Sequence, residues 1–257
     1  MGTLLCCPNV RPQSQIQWRA DPNFTRVRVG RRDIILRRDI TAHCAEILQR
    51  LGALGSGGES GAGNRQSAFH VTIAGAPEIF ARRSRRGGMI ASILDDIYLG
   101  TNPRPICELA ITVEAAHRGV PVAEPMGAVV EWIGPILYRG FFLTRAMPGM
   151  TLWQFLMTDD DPMVRSHVLG QARAAIETMH TKGLSHADLN LHNLLVTQAG
   201  ESFTVMILDL DKSRLYDSPL SPAMRRANLA RLARSARKLD PAGKYLDAAA
   251  FAILNLE

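Results

Sequence analysis

The sequence is short of cysteine and of long apolar runs. Its four cysteines form no CxxC pair, so a structural zinc site is not indicated. No uninterrupted apolar stretch reaches the roughly 18–20 residues that a membrane-spanning helix needs. The start of the chain also lacks the basic and apolar regions of a secretory signal. We therefore expect a cytoplasmic protein whose thiols are reduced.

Aromatic residues are also few, at 6% of the chain, and they are not interleaved with the basic residues. Without stacking platforms or an RNP-type run, nucleic acid is not an expected partner. The net charge is nevertheless +6, and basic residues concentrate in two clusters, at residues 82–86 and 225–238. An anionic membrane surface would explain these clusters, and so would a solvated helix face.

Strand patterns dominate the first half of the chain and helical patterns the second. This order predicts an α+β fold of two lobes, the first rich in strands and the second helical and reduced. The expected divisions are an N-terminal extension at 1–23, an N-lobe at 24–146 and a C-lobe at 147–257.

The most informative segment follows a long predicted helix that ends before Gly183. Residues 186–193 read HADLNLHN, and residues 209–212, at the end of a predicted buried strand, read DLDK. Phosphoryl transfer needs a carboxylate to align and deprotonate an alcohol, and oxygen ligands for a magnesium ion. The groups needed are present in Asp188, Asn193 and Asp209. An ordinary polar turn between two apolar runs is the alternative, but it would not be expected to combine this spacing with a preceding helix and a following buried strand.

This arrangement resembles the catalytic loop of protein-kinase-like enzymes, HxDxxxxN followed by DxG or DxD. The resemblance implies a protein-kinase-like fold that uses ATP and Mg²⁺. It makes Asp188 the catalytic base, and Asn193 and Asp209 the magnesium ligands. It also implies that His186 has a structural role in holding the loop.

The same template predicts the nucleotide site in the first half of the chain. Gly61 and Gly63, in a glycine-dense stretch, match the loop over the phosphates, although the spacing is not GxGxxG and a flexible linker is the alternative. Arg82 stands where these kinases usually carry lysine, and a guanidinium can hold phosphate oxygens bidentately. Glu108, on a helix predicted at 105–118, is placed to pair with Arg82, unless it faces solvent.

Further motifs narrow the resemblance. Asn190 replaces the catalytic-loop lysine of eukaryotic protein kinases, and only about 45 residues follow Asp209, too few for an activation segment and full C-lobe. The sequence is instead similar to the lipopolysaccharide kinases, in particular those that act on 3-deoxy-D-manno-octulosonic acid (Kdo). The motifs carrying this similarity, over about residues 68–240, are RRGG at 85–88, GVPVAEP at 119–125, HADLNLHNLL at 186–195 and DLDK at 209–212.

The resemblance implies transfer of the ATP γ-phosphate to Kdo of Kdo-lipid A in lipopolysaccharide core biosynthesis. It also implies peripheral association with the anionic cytoplasmic face of the inner membrane. Three alternatives stay open: a phosphotransferase of the aminoglycoside or choline kinase type, a short kinase that carries glycine after the metal aspartate, and a catalytically weak pseudokinase that binds a partner. The sequence does not indicate the oligomeric state.

Overall fold

A computed structural model describes residues 18–55, 68–83 and 97–256. Within these ranges, the first part of the chain forms one antiparallel sheet of seven strands in the spatial order β1-β2-β6-β7-β4-β3, with β5 paired to β7. The strands are β1 (Phe24–Val29), β2 (Arg32–Arg37), β3 (Ala68–Val71), β4 (Ile79–Arg83), β5 (Tyr98–Leu99), β6 (Pro125–Trp132) and β7 (Leu137–Arg145).

Helices cover both faces of this sheet. Helix α1 (Cys44–Gly55), preceded by a 3₁₀ turn at Arg38–His43, packs on one face, and α2 (Arg104–His117) packs on the other. The run Ile34-Ile35-Leu36 in β2 is consequently buried at every position, since Ile34 and Leu36 meet the α1 side and Ile35 meets the α2 side. A strand covered on both faces reads as a continuous apolar run rather than as an alternation.

The second part of the chain is mainly helical and has its own core. Its elements are β8 (Met150–Thr151), α3 (Leu152–Thr158), α4 (Pro162–Thr181), β9 (Leu184–Ser185), a 3₁₀ turn (Leu191–Asn193), β10 (Leu194–Ala199), β11 (Ser202–Ile207), β12 (Arg214–Leu215), α5 (Pro222–Leu239) and α6 (Ala248–Leu254). Strand β10 pairs with β11 and β8, and β9 pairs with β12.

Helix α4 leads into the segment that carries Asp188. The Asp161 side chain caps its start by accepting hydrogen bonds from the backbone N–H groups of Met163 and Val164, and Pro162 takes the first helical position. Its end is fixed by Gly183, whose φ is +81°. A Cβ there would lie 2.3 Å from the carbonyl oxygen of Tyr216, so both the backbone angle and the space require glycine.

The predicted fold class is confirmed, because a strand-rich first lobe and a helical second lobe are both present. No helix within the described ranges is long and apolar enough to cross a membrane. Several sequence-based expectations fall outside these ranges: the phosphate-loop glycines Gly61 and Gly63, the RRGG run at 85–88, and residues 1–17 of the proposed extension.

Candidate active site

The loop that carries Asp188 is anchored by buried leucines on both sides. Leu184, Leu189 and Leu191 are fully buried in the core of the second lobe, and Asp188 lies between them on the outer side of the loop. Asp188 is exposed, and its backbone carbonyl accepts a hydrogen bond of 2.8 Å from Asn193 Nδ2. Its carboxylate forms no hydrogen bond or ion pair with the residues that the structure describes, and it is therefore available to a substrate.

His186 fixes the backbone of this loop. The ring is completely buried; its Nδ1 accepts a hydrogen bond of 3.0 Å from the Asp188 N–H, and its Nε2 lies 2.8 Å from the Leu208 carbonyl oxygen. Because Nδ1 accepts, Nε2 must be the protonated nitrogen that donates. Burial lowers the pKa of His186, which keeps the ring neutral and in this tautomer. One imidazole thus ties the catalytic loop to the end of β11.

Asn193 and Asp209 lie side by side because β10 and β11 pair in a fixed register. Leu194 is opposite Ile207, and the Leu208 N–H donates to the Asn193 carbonyl at 2.9 Å. Asp209 has φ +58°, a left-handed conformation that aspartate tolerates better than most residues. Non-glycine residues held in this region often lie at functional sites, and here the chain turns sharply after the strand.

Arg82 joins the two lobes at this point. On β4, it forms an ion pair with Glu108 of α2, and its Nη2 lies 3.1 Å from Oδ1 of Asp209. Glu108 is 3% exposed, so it does not face solvent. Burial raises the pKa of Glu108 to about 7 against the opposing effect of Arg82, while the two neighbouring carboxylates raise the pKa of Arg82. The guanidinium is therefore permanently charged, and the charge of Glu108 depends on pH.

The donor set suits a magnesium ion that is held partly by nucleotide. The described residues contain no group of three or more carboxylate, histidine or cysteine side chains that could hold a metal by themselves. Magnesium, however, is commonly bound through one or two carboxylates together with substrate phosphates and water. Asp209 supplies a carboxylate, and Asn193, whose amide nitrogen is turned to Asp188, has its amide oxygen left for a cation.

Helix α5 contacts the backbone of the Asp188 loop, and the sequence analysis did not predict this contact. Asn228 is 2% exposed; its Oδ1 accepts from the His186 N–H at 3.1 Å, and its Nδ2 donates to the His186 carbonyl at 3.2 Å. Arg231 donates to the same carbonyl at 3.2 Å. The local sequence does not indicate that Asn228 and Arg231 contact His186, because these residues are more than 40 positions apart. Asn228 also looks like an ordinary polar residue of a basic, amphipathic helix.

A second contact that the sequence analysis did not predict is an ion pair to the segment after Asp209. Arg104, at the start of α2, forms an ion pair with Asp211, with Nε 3.1 Å from Oδ1. Its guanidinium also lies over the ring of Tyr98, 5.0 Å from the centroid. The first lobe therefore holds the DLDK segment at two positions, through Arg82 and through Arg104.

Comparisons with known proteins identify a family and several relatives. A family model described as "Lipopolysaccharide kinase (Kdo/WaaP) family" matches residues 55–251. A 3-deoxy-D-manno-octulosonic acid kinase of Xylella fastidiosa (strain M23) is 32% identical over 180 residues, which are 69% of this chain and 68% of that protein. A protein of the same name from Actinobacillus succinogenes is 32% identical over 158 residues, 60% of this chain and 63% of that one.

A solved structure gives the same fold. The structure titled "WaaP in complex with acyl carrier protein" superposes with a TM-score of 0.51 at 16% identity, covering 82% of this chain and 87% of that one. The family match at residues 55–251 confirms the resemblance drawn from the motifs at 85–88, 119–125, 186–195 and 209–212.

Proposed function

The chain belongs to the lipopolysaccharide kinase (Kdo/WaaP) family, and from this premise we propose that it transfers the γ-phosphate of ATP to a hydroxyl of Kdo in Kdo-lipid A. The relatives from Xylella and Actinobacillus carry the name of this activity. One observation supports the proposal above the others: the exposed carboxylate of Asp188 has no partner among the described residues, while His186 and Asn193 hold the Asp188 backbone.

In this proposal Asp188 acts on the acceptor. Its carboxylate accepts a hydrogen bond from the sugar hydroxyl, aligns the oxygen with the γ-phosphorus and takes the proton as the bond to phosphorus forms. Because His186 and Asn193 hold the backbone on both sides, the carboxylate is preorganised, and little reorientation is needed during the transfer.

Arg82, Asn193 and Asp209 act on the donor. Arg82 offers its guanidinium to the phosphate oxygens of ATP while Glu108 fixes its position. Asn193 and Asp209 would hold Mg²⁺, which neutralises charge on the β- and γ-phosphates when it is bound. We also assign Gly61 and Gly63 to the loop over the phosphates, as the sequence suggests.

We place the enzyme at the cytoplasmic face of the inner membrane, where a lipid-linked acceptor is presented. The basic residues at 225–238 do not all serve this purpose. Arg225 and Arg231 donate to backbone carbonyls of their own lobe, whereas Arg226, Arg234 and Lys238 are exposed on α5. Exposed cations of this kind are attracted to anionic lipid headgroups.

The alternatives have less support. Aminoglycoside and choline phosphotransferases share the HxDxxxxN and DxD pattern, but the family match and the named relatives favour a lipopolysaccharide sugar. A pseudokinase would need a lost catalytic group, whereas Asp188, Asn193 and Asp209 are all present.

The test is a panel of acceptors offered to the purified full chain with ATP and Mg²⁺. We expect phosphate incorporation into Kdo-lipid A and none into an aminoglycoside, choline or a generic protein substrate. Lipid A without Kdo is the matched control, because it presents the same membrane surface. Phosphorylation of a different acceptor in preference to Kdo-lipid A would replace the proposed substrate, and no transfer to any acceptor would favour the pseudokinase.

A further inference from the structure

One end of the N-lobe sheet carries an exposed apolar projection that phosphoryl transfer does not use. It consists of Ile133, Ile136 and Leu137 at the turn between β6 and β7, together with Leu99 of β5, and we call these four side chains the hairpin tip. They are respectively 39%, 45%, 36% and 62% exposed. Backbone hydrogen bonds of 2.8 Å hold the group together, from the Gly100 N–H to Ile136 and from the Ile133 N–H to Leu137.

Cationic side chains lie near the hairpin tip, in β2, in β7 and in the turn between β1 and β2. The Trp132 N–H donates to the Arg31 carbonyl at 2.8 Å, which brings the turn between β1 and β2 against the tip. Arg28 and Arg31 are exposed and have no acidic partner among the residues that the structure describes. The remaining cations at this end, Arg32 and Arg139, share one carboxylate, Glu131. The described part of this surface is therefore apolar at its centre and positive at its edge.

The hairpin tip is connected to the DLDK segment through a short series of contacts. Tyr138 follows the tip in β7, stacks on Tyr98 with ring centroids 5.6 Å apart, and accepts a hydrogen bond of 3.1 Å from the Arg104 N–H. Arg104 in turn pairs with Asp211, two residues beyond Asp209. A surface that engages the tip is thus linked to the DLDK segment through Tyr138 and Arg104.

We propose that the hairpin tip inserts into the surface of an anionic bilayer and so orients the active site toward its lipid-linked acceptor; this rests on the membrane-bound substrate proposed above. Aliphatic side chains at a hairpin turn fit the region between headgroups and acyl chains, while the neighbouring guanidinium groups fit lipid phosphates.

The experiment compares two double variants. In each, two exposed apolar side chains are replaced by glutamate, at the hairpin tip in one and elsewhere in the other. Leu99→Glu/Ile136→Glu alters the hairpin tip, and Met157→Glu/Met163→Glu, on α3 and α4, is the matched control, since Met157 and Met163 are 41% and 83% exposed. Binding is measured by co-sedimentation with vesicles of phosphatidylglycerol and phosphatidylethanolamine. Activity is measured on Kdo-lipid A in vesicles and on a water-soluble, deacylated Kdo acceptor.

We expect the tip variant to bind vesicles at least about tenfold more weakly and to lose activity on Kdo-lipid A in vesicles to the same extent. It should keep its rate on the soluble acceptor, and the methionine variant should match the wild type throughout. Vesicle binding by the tip variant equal to that of the wild type would overturn the proposal, as would a wild type that does not bind vesicles. Failure of every variant on both Kdo acceptors, with vesicle binding still lost only at the tip, would instead count against the Kdo substrate.

An Ile136→Trp variant guards against misfolding of the acidic variant. We expect its tryptophan emission to shift to shorter wavelength when vesicles are added, and brominated lipids to quench it more than they quench the wild type. Emission that is already at short wavelength in solution, and that vesicles do not change, would mean that another part of the chain or a second copy covers the tip, and the proposal would fall.

Discussion

Asp188 and Asp209 are assigned different tasks although both are carboxylates near one another in the fold. The Asp188 carboxylate has no partner among the described residues, whereas Asp209 is within 3.1 Å of the Arg82 guanidinium. A free carboxylate suits proton abstraction, and one drawn toward positive charge suits metal ligation. Asparagine at either position preserves shape and removes the charge.

We therefore expect Asp188→Asn and Asp209→Asn each to lower kcat by at least about a hundredfold while the protein remains folded. Steady-state kinetics with circular dichroism as the folding control measures this. Asp160→Asn, an exposed position in the connection before α4, should leave the rate unchanged. Near-normal turnover by either active-site variant would refute the assignment.

Arg82 replaces the strand lysine that kinases usually carry, and its contacts explain why arginine suits this position. A single guanidinium meets Glu108 and Asp209 together, which a lysine ammonium does with less geometric control. Arg82→Lys should keep part of the activity, and Arg82→Ala should lose at least about tenfold in kcat/KM for ATP.

The neighbouring Arg83 provides the control, because it stacks on Phe141 rather than entering the site. Arg83→Ala should bind ATP as the wild type does. An Arg82→Ala variant with unchanged ATP affinity and rate would remove Arg82 from the nucleotide site.

We expect Glu108 to make the proposed nucleotide site sensitive to pH. Its pKa, raised by burial to about 7, means that it is charged above that pH and neutral below it. When it takes up a proton, Arg82 loses its buried partner. We expect kcat/KM for ATP to fall as the pH is lowered through this value.

Glu108→Gln is the neutral counterpart, and it should be weak at all pH values with a flatter profile. The comparison of the two profiles removes the titration of ATP itself, which both share. Profiles of equal shape for wild type and Glu108→Gln would show that the pH dependence has another source.

At the scale of elements, α5 is the support of the catalytic loop. Asn228 contacts both backbone groups of His186. An alanine there leaves the buried His186 N–H without this partner, at a cost of about 1–3 kcal/mol, whereas the carbonyl still accepts from Arg231. We expect Asn228→Ala to reduce the free energy of unfolding and to lower kcat by about tenfold or more, with a smaller change in KM for ATP.

The basic residues of the same helix separate loop support from surface charge. Arg231→Ala should lower kcat in the same direction as Asn228→Ala, because Arg231 also donates to the His186 carbonyl. Arg234→Ala, on the exposed side, should not. Equal effects of the two arginine substitutions would contradict the supporting role of α5.

Elements that depend on interactions between neighbouring residues were predicted from the sequence, and those that depend on contacts between distant segments were not. Helix α4 was predicted because its apolar stripe and Gly183 are local, and the catalytic loop was predicted because its residues lie within one short segment. The β10 strand was overlooked, since its identity depends on pairing with β11. The Asn228 and Arg104 contacts were not foreseen because they join distant segments through tertiary packing.

At the scale of the whole molecule, the basic residues fall into groups with different roles. Part of the positive charge is engaged in contacts, at Arg82, Arg104 and Arg231, and part is displayed on α5 and near the hairpin tip. Only the displayed part can attract a membrane, and this attraction is screened within about 8 Å at physiological ionic strength.

We expect Arg226→Glu/Arg234→Glu to weaken binding to phosphatidylglycerol vesicles and to reduce its dependence on salt, since fewer cations then meet the lipid. Co-sedimentation across a salt series measures this, with phosphatidylcholine vesicles as the uncharged control. Binding that is indifferent to both lipid charge and salt would contradict an electrostatic contribution from α5.

The central claim is that Asp188 directs transfer of phosphate to Kdo, and mass spectrometry of the reaction product tests it most directly. After incubation of Kdo-lipid A with ATP, Mg²⁺ and the full chain, fragmentation of the product should place one added phosphate on the Kdo residue and none on lipid A. The Asp188→Asn variant should leave the acceptor unmodified under the same conditions. Phosphate on lipid A alone, or an equally phosphorylated Kdo with the Asp188→Asn variant, would contradict the account.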